Sequence, residues 1–333
     1  MKNLSLIFCA ALLLAACQKS GTPATGEETL AGPVTANPEK AQLYIRVETA
    51  GSKAALPIDE NAVDDVQILL FGSDGKLETY AREDGSELSM KCTLGPKSIY
   101  AFVNMPSLEN IRTETEVAGI VFSLEHTTAS HLPMQGVVRQ SVSTSGNLNI
   151  LVQRMVCKIS IREILTAFPE AYTDARLEID KIYLTNAVSA IDGDGNIRAW
   201  ANKLTEQNEY PQMLCDDFAE SKIIGGSEDG TLGNIFFAFA NATEQDNSEA
   251  QWSPRFTRLV IEGKFFNGTE LVRTCYYPIP LGPLAANHSY VVSQYTISRP
   301  GLDSPAGNPQ LLNCEVTVTV KDWDDTHEII ERL

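Results

Sequence analysis

Apolar and polar side chains alternate along most of the chain. In AQLYIRVET, residues 41–49, Leu43, Ile45 and Val47 alternate with Tyr44, Arg46 and Glu48, the period of two expected of a half-buried strand. VDDVQILLFGSDGKLETYA holds two such runs joined by Ser73-Asp74-Gly75, and Asp-Gly supplies the positive φ angles of a hairpin turn. SELSMKCTLGPKSIYAFVNMP adds a pair around Gly95-Pro96, and GNLNILVQRMVCKISIREIL is long enough to pass from one domain to the next. ARLEIDKIYLTNAVSAIDGDGNIRAW, NIFFAFAN, RFTRLVIEGKFFN, ELVRTCYYPIPL and HSYVVSQYTISRPG follow at sandwich-like spacing. The last run, LLNCEVTVTVKDW, alternates Val316, Val318 and Val320 against Thr317, Thr319 and Lys321. Helical candidates are few: 107–112, 163–174 and 213–222. The pattern predicts an all-β chain of two sandwiches with a boundary near residue 155.

The first residues depart from this pattern. MKNLSLIFCAALLLAACQKSG has Lys2, an apolar run from Leu4 to Ala16, and a small-residue exit. It reads as a secretory signal peptide, because a membrane span needs roughly 20 apolar residues. The exit, Leu14-Ala15-Ala16-Cys17, resembles a bacterial lipobox in which Cys17 is acylated. The alternative is ordinary secretion with a coincidental cysteine. Several acyl chains, palmitate among them, would anchor the precursor stably. Residues 18–40, rich in Gly, Pro, Thr and Glu, read as a tether with too little apolar surface to fold. About 290 residues remain, enough for two domains.

Charge and cysteines narrow the partners. A net charge of −17 argues against nucleic acid or anionic lipid surfaces. Beyond Cys9 and Cys17, five cysteines at 92, 157, 215, 275 and 314 form no disulfide framework by spacing. Buried thiols are the expectation, with a single bridge left open.

The search for catalytic chemistry returns little. The four histidines, 126, 131, 288 and 327, make no HExxH or His-x-His spacing, and no CxxC or Gly-x-Ser-x-Gly elbow occurs. GGSEDGTLGN, 225–234, has no Lys followed by Ser/Thr and reads as a flexible turn rather than a phosphate loop. Asp192, Asp194 and Asn196 match the start of a calcium loop. Ile197, however, stands where its glycine belongs and Lys203 where its Glu belongs. A hairpin turn is the better account. Asp216-Asp217 and Asp324-Asp325 read as solvated surface. The expectation is a non-enzymatic protein without a cofactor.

In order along nearly the whole chain stand the lipobox, QLYIRVET with its following loop, VDDVQILLFGSDGKL, IYAFVNMP, LPMQG, LVQRMVCKISI, IYLTNA and NHSYVVSQYTISRPG…CEVTVTVKDW. In this order they resemble the fimbrillin family of Bacteroidetes, subunits of lipoprotein-derived type V pili. The nearest likeness is to accessory subunits of short (minor) fimbriae. The resemblance implies two transthyretin-like β-sandwiches and assembly by donor-strand exchange. It implies that a surface protease specific for Lys or Arg removes the first strand together with the lipid. In this chain the loop alignment places the cut between Lys53 and Ala54, where the family usually carries Arg; Arg46-Val47 is the less favoured site. The implied organisation is a signal peptide at 1–16, a lipidated tether and removable strand at 17–53, and sandwiches at 54–154 and 155–333. A candidate donor strand lies at 311–323, with Val316, Val318 and Val320 as its plugging side chains and the preceding RPGLDSPAGNPQ as a hinge.

The expected partners are other fimbrial subunits, the outer membrane through the precursor's lipid, the maturation protease, and an adhesion ligand on host or bacterial surfaces. The protein would pass from the outer membrane to a surface fimbria and serve adhesion and virulence. The alternative function is a surface-exposed glycan-binding lipoprotein with Trp200, Trp252 and Tyr276-Tyr277 as its aromatic platform.

Overall fold

The computed structural model describes residues 39–49, 59–204, 214–225, 230–246, 252–312 and 314–323, and the backbone of 329–332. Cys17, Lys53 and Ala54 lie outside the described residues. The chain is all-β with few and short helices. It opens with β1 (Lys40–Thr49), β2 (Asp65–Phe71), β3 (Leu77–Asp84), β4 (Glu87–Thr93) and β5 (Gly95–Val103). One helical turn, α1 (Glu114–Val117), leads to β6 (Val121–Ser123), β7 (Met134–Val142) and β8 (Gly146–Arg154). Next come β9 (Val156–Ile161), β10 (Ile164–Thr166), β11 (Ala175–Thr185), β12 (Ala187–Asp192), β13 (Ile197–Ala201) and β14 (Cys215–Ile224). The series ends with β15 (Ile235–Phe239), β16 (Arg258–Asn267), β17 (Glu270–Pro280), β18 (His288–Ile297), β19 (Glu315–Asp322) and β20 (Ile329–Arg332).

Seven strands hydrogen-bond in the order β3-β2-β5-β7-β8-β1-β4. β7 and β8 pair at one corner, Met134 with Arg154 and Gln135 with Gln153. The run therefore divides into a four-strand ladder and a three-strand ladder, β8-β1-β4. The corner is tight: a Cβ on Gly136 would sit 2.3 Å from the Leu151 carbonyl oxygen. Ile68, Leu70, Phe71, Ile99 and Ala101 of the first ladder and Leu43, Ile45, Met90 and Ile150 of the second are buried in one core. The later strands form a sheet in the order β13-β12-β15-β9-β18-β19-β20, with β10 on β18 and β6 on β12, and a four-strand sheet, β14-β11-β16-β17. β8 ends at Arg154 and β9 begins at Val156 in a different sheet.

The helical expectations fail for identifiable reasons. Residues 215–224 form β14, because β11 offers them a ladder from Tyr183 to Leu177, and pairing overrides helix propensity. In 163–174, Ile164–Thr166 pairs in parallel with Tyr295–Ile297. Pro169 then leaves room for a single 3-10 turn, Glu170–Tyr172. Residues 107–112 make a turn closed by the Ile111 amide on the Leu108 carbonyl. The helical turn follows instead at Glu114, where Thr113 and Glu116 form a capping box.

Candidate functional site

β1 is the strand on which the site is built. Ala41, Leu43, Ile45 and Val47 point inward and are at most 3% exposed, whereas Tyr44 is 56% exposed on the other face. One side of β1 pairs antiparallel with β4, from Lys40–Thr93 to Arg46–Glu87. The other pairs in parallel with β8, from Leu43–Gly146 to Thr49–Val152. β1 is thus a middle strand, contributed by residues that precede the expected cut. Without it, β4 and β8 would face each other across a slot about one strand wide, roughly 5 Å from each wall to its centre. The slot is lined by Leu88, Met90 and Cys92 on one wall and Leu148, Ile150 and Val152 on the other, all buried. Its chemistry is that of an acceptor: two rows of unpaired backbone groups above an apolar floor, which an alternating strand satisfies.

The rim is polar and lightly held. Arg46 and Glu87 pair at 3.7 Å while both are exposed, an arrangement that contributes little. Ser145 accepts the Gln42 amide at 2.9 Å, and Asn149 donates to Glu48 at 3.1 Å. Beside the β4 end of the slot, Lys97 is 6% exposed and pairs with Glu78 at 2.7 Å. Burial pushes the Glu78 carboxyl up, but hydrogen bonds from Lys97 and Thr93 outweigh it and hold it below the ordinary value. The Arg46-Val47 bond lies inside the doubly paired strand, and the Val47 amide donates to Ser86 at 2.9 Å.

The three candidate donor valines sit on β19, where Val316, Val318 and Val320 stand opposite Tyr295, Val292 and Tyr290 of β18. Val318 is fully buried and the other two half-buried against the core. The hinge expectation shifts here. Arg258 donates to the Pro305 and Gly307 carbonyls at 3.1 and 3.0 Å, Leu302 bridges Tyr276, and Leu312 is 1% exposed. Residues 299–312 are therefore fastened along their length, and a departing strand would pivot after Leu312.

Asp192, Asp194 and Asn196 meet as a turn. One Asp192 carboxylate oxygen accepts the amides of Asp194 and Asn196 at 3.0 and 2.8 Å, and the other pairs with Arg198 at 2.6 Å. Burial pushes the Asp192 carboxyl up, and hydrogen bonds from the Asn196 side-chain amide and these backbone amides, with the Arg198 charge, bring it below its ordinary value. Among the described residues no group of three His, Cys, Asp or Glu side chains could hold a metal ion, and no helix is long and apolar enough to cross a membrane. Cys92, Cys157, Cys215, Cys275 and Cys314 are all free thiols. Burial pushes Cys157 up to about 12 and Cys215 up to about 11.

The aromatic platform does not assemble as expected. Trp200 and Trp252 do meet, edge to face at 5.3 Å, with Lys203 and Arg255 at 5.0 and 5.3 Å from the Trp252 ring centre. Tyr277, by contrast, is buried against Tyr295 and donates to the Arg299 carbonyl. Sequence reasoning missed the walls of the slot. β4 and β8 alternate like their neighbours, and nothing in their residues names β1 as partner.

No family model matches the sequence, and no curated protein matches it. Solved structures do. A protein assigned to cell adhesion from Parabacteroides distasonis superposes with a TM-score of 0.65 at 15% identity, over 86% of this chain and 100% of that one. Another from Bacteroides eggerthii gives 0.65 at 18% identity, over 86% and 97%. A fimbrilin from Porphyromonas gingivalis gives 0.62 at 16% identity, over 86% and 98%. The likeness is one of fold.

Proposed function

We propose that the chain is a structural, non-enzymatic subunit of a surface fimbria, exported as a lipoprotein and matured by proteolysis. The place of β1 carries this reading: it is a middle strand, and it precedes the loop that holds the expected cut. Excising it costs the burial of Leu43, Ile45 and Val47, about 1.5–3 kcal/mol each, and orphans two ladder edges. Such a state is corrected by a strand from another subunit. The shared fold with a fimbrilin and with proteins assigned to cell adhesion supports the same class.

In this reading Cys17 carries the lipid and Lys53-Ala54 is the cut in preference to Arg46-Val47. Residues 54–154 then form the accepting domain and 155–333 the domain that donates 314–323. The subunit belongs to the accessory subunits of short (minor) fimbriae of the Porphyromonas gingivalis kind and serves adhesion. N-terminal sequencing of the protein from purified surface fimbriae tests this, with Ala54 as the expected first residue. A chain that keeps lipidated Cys17 on the cell surface would instead support the glycan-binding lipoprotein.

A further inference from the structure

The residue that follows β19 is fastened by one 263 positions earlier in the chain. Trp323, directly after β19, donates its indole N–H to Glu60 at 2.7 Å. Its ring stacks on Phe237 at 5.8 Å and 7° between planes, and the Arg154 guanidinium lies 4.8 Å from its centre. Lys158 ion-pairs with Glu60 and lies 5.8 Å from the same ring. Arg154 also donates to the Glu60 carbonyl at 3.2 Å, to Asn61, and to Asn287 at 3.0 Å. The Trp323 amide donates to the Asn287 carbonyl at 3.0 Å, and one residue back Asp322 pairs with His288 at 2.8 Å. Glu60 and Lys158 keep 10% and 16% side-chain exposure and Arg154 3% overall. Hydrogen bonds to a charged, water-poor acceptor are stronger than surface ones.

One of these partners, Arg154, is carried by a strand that β1 supports. Arg154 is the end of β8, and β8 lies on β1 through Gly146–Val152 but on β7 at two pairs. Glu60 belongs to the first described segment after β1, whose Asp59 carboxylate and carbonyl accept the Asn61 and Ala62 amides. Between Leu312 and Trp323, β19 is otherwise held by its ladders, the Ser293–Thr319 hydroxyl contact, the exposed Asp322–His288 pair and the Cys314 thiol on the Leu312 carbonyl.

We propose that Trp323 is a latch that holds β19 in its own sheet while β1 fills its slot, with Glu60 and Arg154 as its keepers. Loosening β1 loosens β8, draws Arg154 off the indole, and frees the end of β19. The latch rests on the strand-exchange reading for its purpose, because it would keep an unprocessed subunit from offering its C-terminal strand. As a physical coupling between two strands it stands without fimbriae.

Hydrogen exchange on the full-length purified chain tests it, read on peptides covering 314–323, with β11 and β16 as internal controls. Trp323→Leu and Glu60→Ala should each speed exchange in β19 about tenfold or more while β11 and β16 keep their protection. Ile45→Asp, which unseats β1, should speed β19 by a similar factor although Ile45 does not touch it. Ile45→Ala serves in its place if that chain fails to fold. Combining the β1 variant with Trp323→Leu should add little beyond either alone. Unchanged β19 exchange on unseating β1, full additivity of the pair, or equal acceleration in β11 and β16 would each overturn the latch. Failure of a latched chain to join fimbriae would count against strand donation and leave these exchange results intact.

Discussion

Asn104 ends β5 with a φ of 56° and commits its whole side chain to backbone groups. Its amide donates to the Ala62 and Leu132 carbonyls at 2.9 and 3.1 Å, and its oxygen accepts the Asp64 amide at 2.9 Å. Asn186, after β11, has a φ of 52° and bonds Phe256 and Leu204 in the same way. A short amide side chain tolerates the left-handed region better than most residues, which explains the asparagines in IYAFVNMP and IYLTNA. Asn104→Ala should cost about 3 kcal/mol or more, at about 1 kcal/mol per hydrogen bond plus the backbone strain. Asn104→Gly should recover about 1 kcal/mol of that in urea unfolding, because it relieves the strain alone. Equal losses for both would show that the φ angle contributes nothing. Asp192 permits a second test at this scale. Its folded value lies below the ordinary 3.8, so its contribution is complete above that pH and fades as pH falls through the folded value. The stability gap between the wild type and Asp192→Asn should therefore narrow below about pH 4. A gap constant from pH 7 to pH 2 would contradict the hydrogen-bonded turn.

At the scale of elements, β1 and β19 differ in how they are held. β1 has a ladder on each side and four inward side chains. β19 has β18 on one side and the four-residue β20 on the other. With the linker fastened as far as Leu312, a chain ending there removes the candidate donor and leaves its anchorage. This chain should remain folded, with a lower melting temperature from the loss of Val318 burial, about 1.5–3 kcal/mol, and of the Trp323 contacts to Glu60 and Phe237. On the strand-exchange reading it should no longer enter fimbriae. Normal incorporation would rule out 314–323 as the donor, and a chain unable to fold would make β19 an integral core strand. The free thiols fit this scale too, because Cys92 lies on a wall of the β1 slot and is buried while β1 is seated. Alkylation of Cys92 should be slow in the full-length chain and fast once β1 is displaced, read by mass spectrometry of the 87–97 region. Equal rates would mean that the slot closes on itself.

For the whole molecule, charge sets the terms of association. At −17 for the full sequence, two copies of the chain repel until salt screens them, with a Debye length of about 30 Å at 0.01 M and about 10 Å at 0.1 M. On the strand-exchange reading, assembly of the protein cut before Ala54 should therefore quicken in vitro as salt rises from about 10 to about 150 mM, followed by light scattering. Slower assembly in salt would point to attractive charge pairing at the interface. The fold likeness to solved adhesion proteins at 15–18% identity belongs to this scale as well. At that identity the arrangement of sheets is shared while most side chains differ.

Much of this was legible in the residues alone. Alternation in 41–49 and 315–322, the Asp-Gly turns at 74–75 and 194–195, and the scarcity of helical periodicity determined an all-β chain and the inward face of β1, whereas on β19 Thr319 is as buried as Val318. They did so because side-chain direction along a strand has a period of two whatever its partner. The tertiary structure decided which strands are partners. β1 runs parallel to a strand a hundred residues downstream, 215–224 becomes an edge strand rather than a helix, and Val121–Ser123 joins β12. Backbone donors and acceptors are alike on every strand, so register and neighbour are settled when buried faces close on a common core. Trp323 had the same limitation: its indole says that it wants a partner, and only the packed sheets bring Glu60 and Arg154 to it.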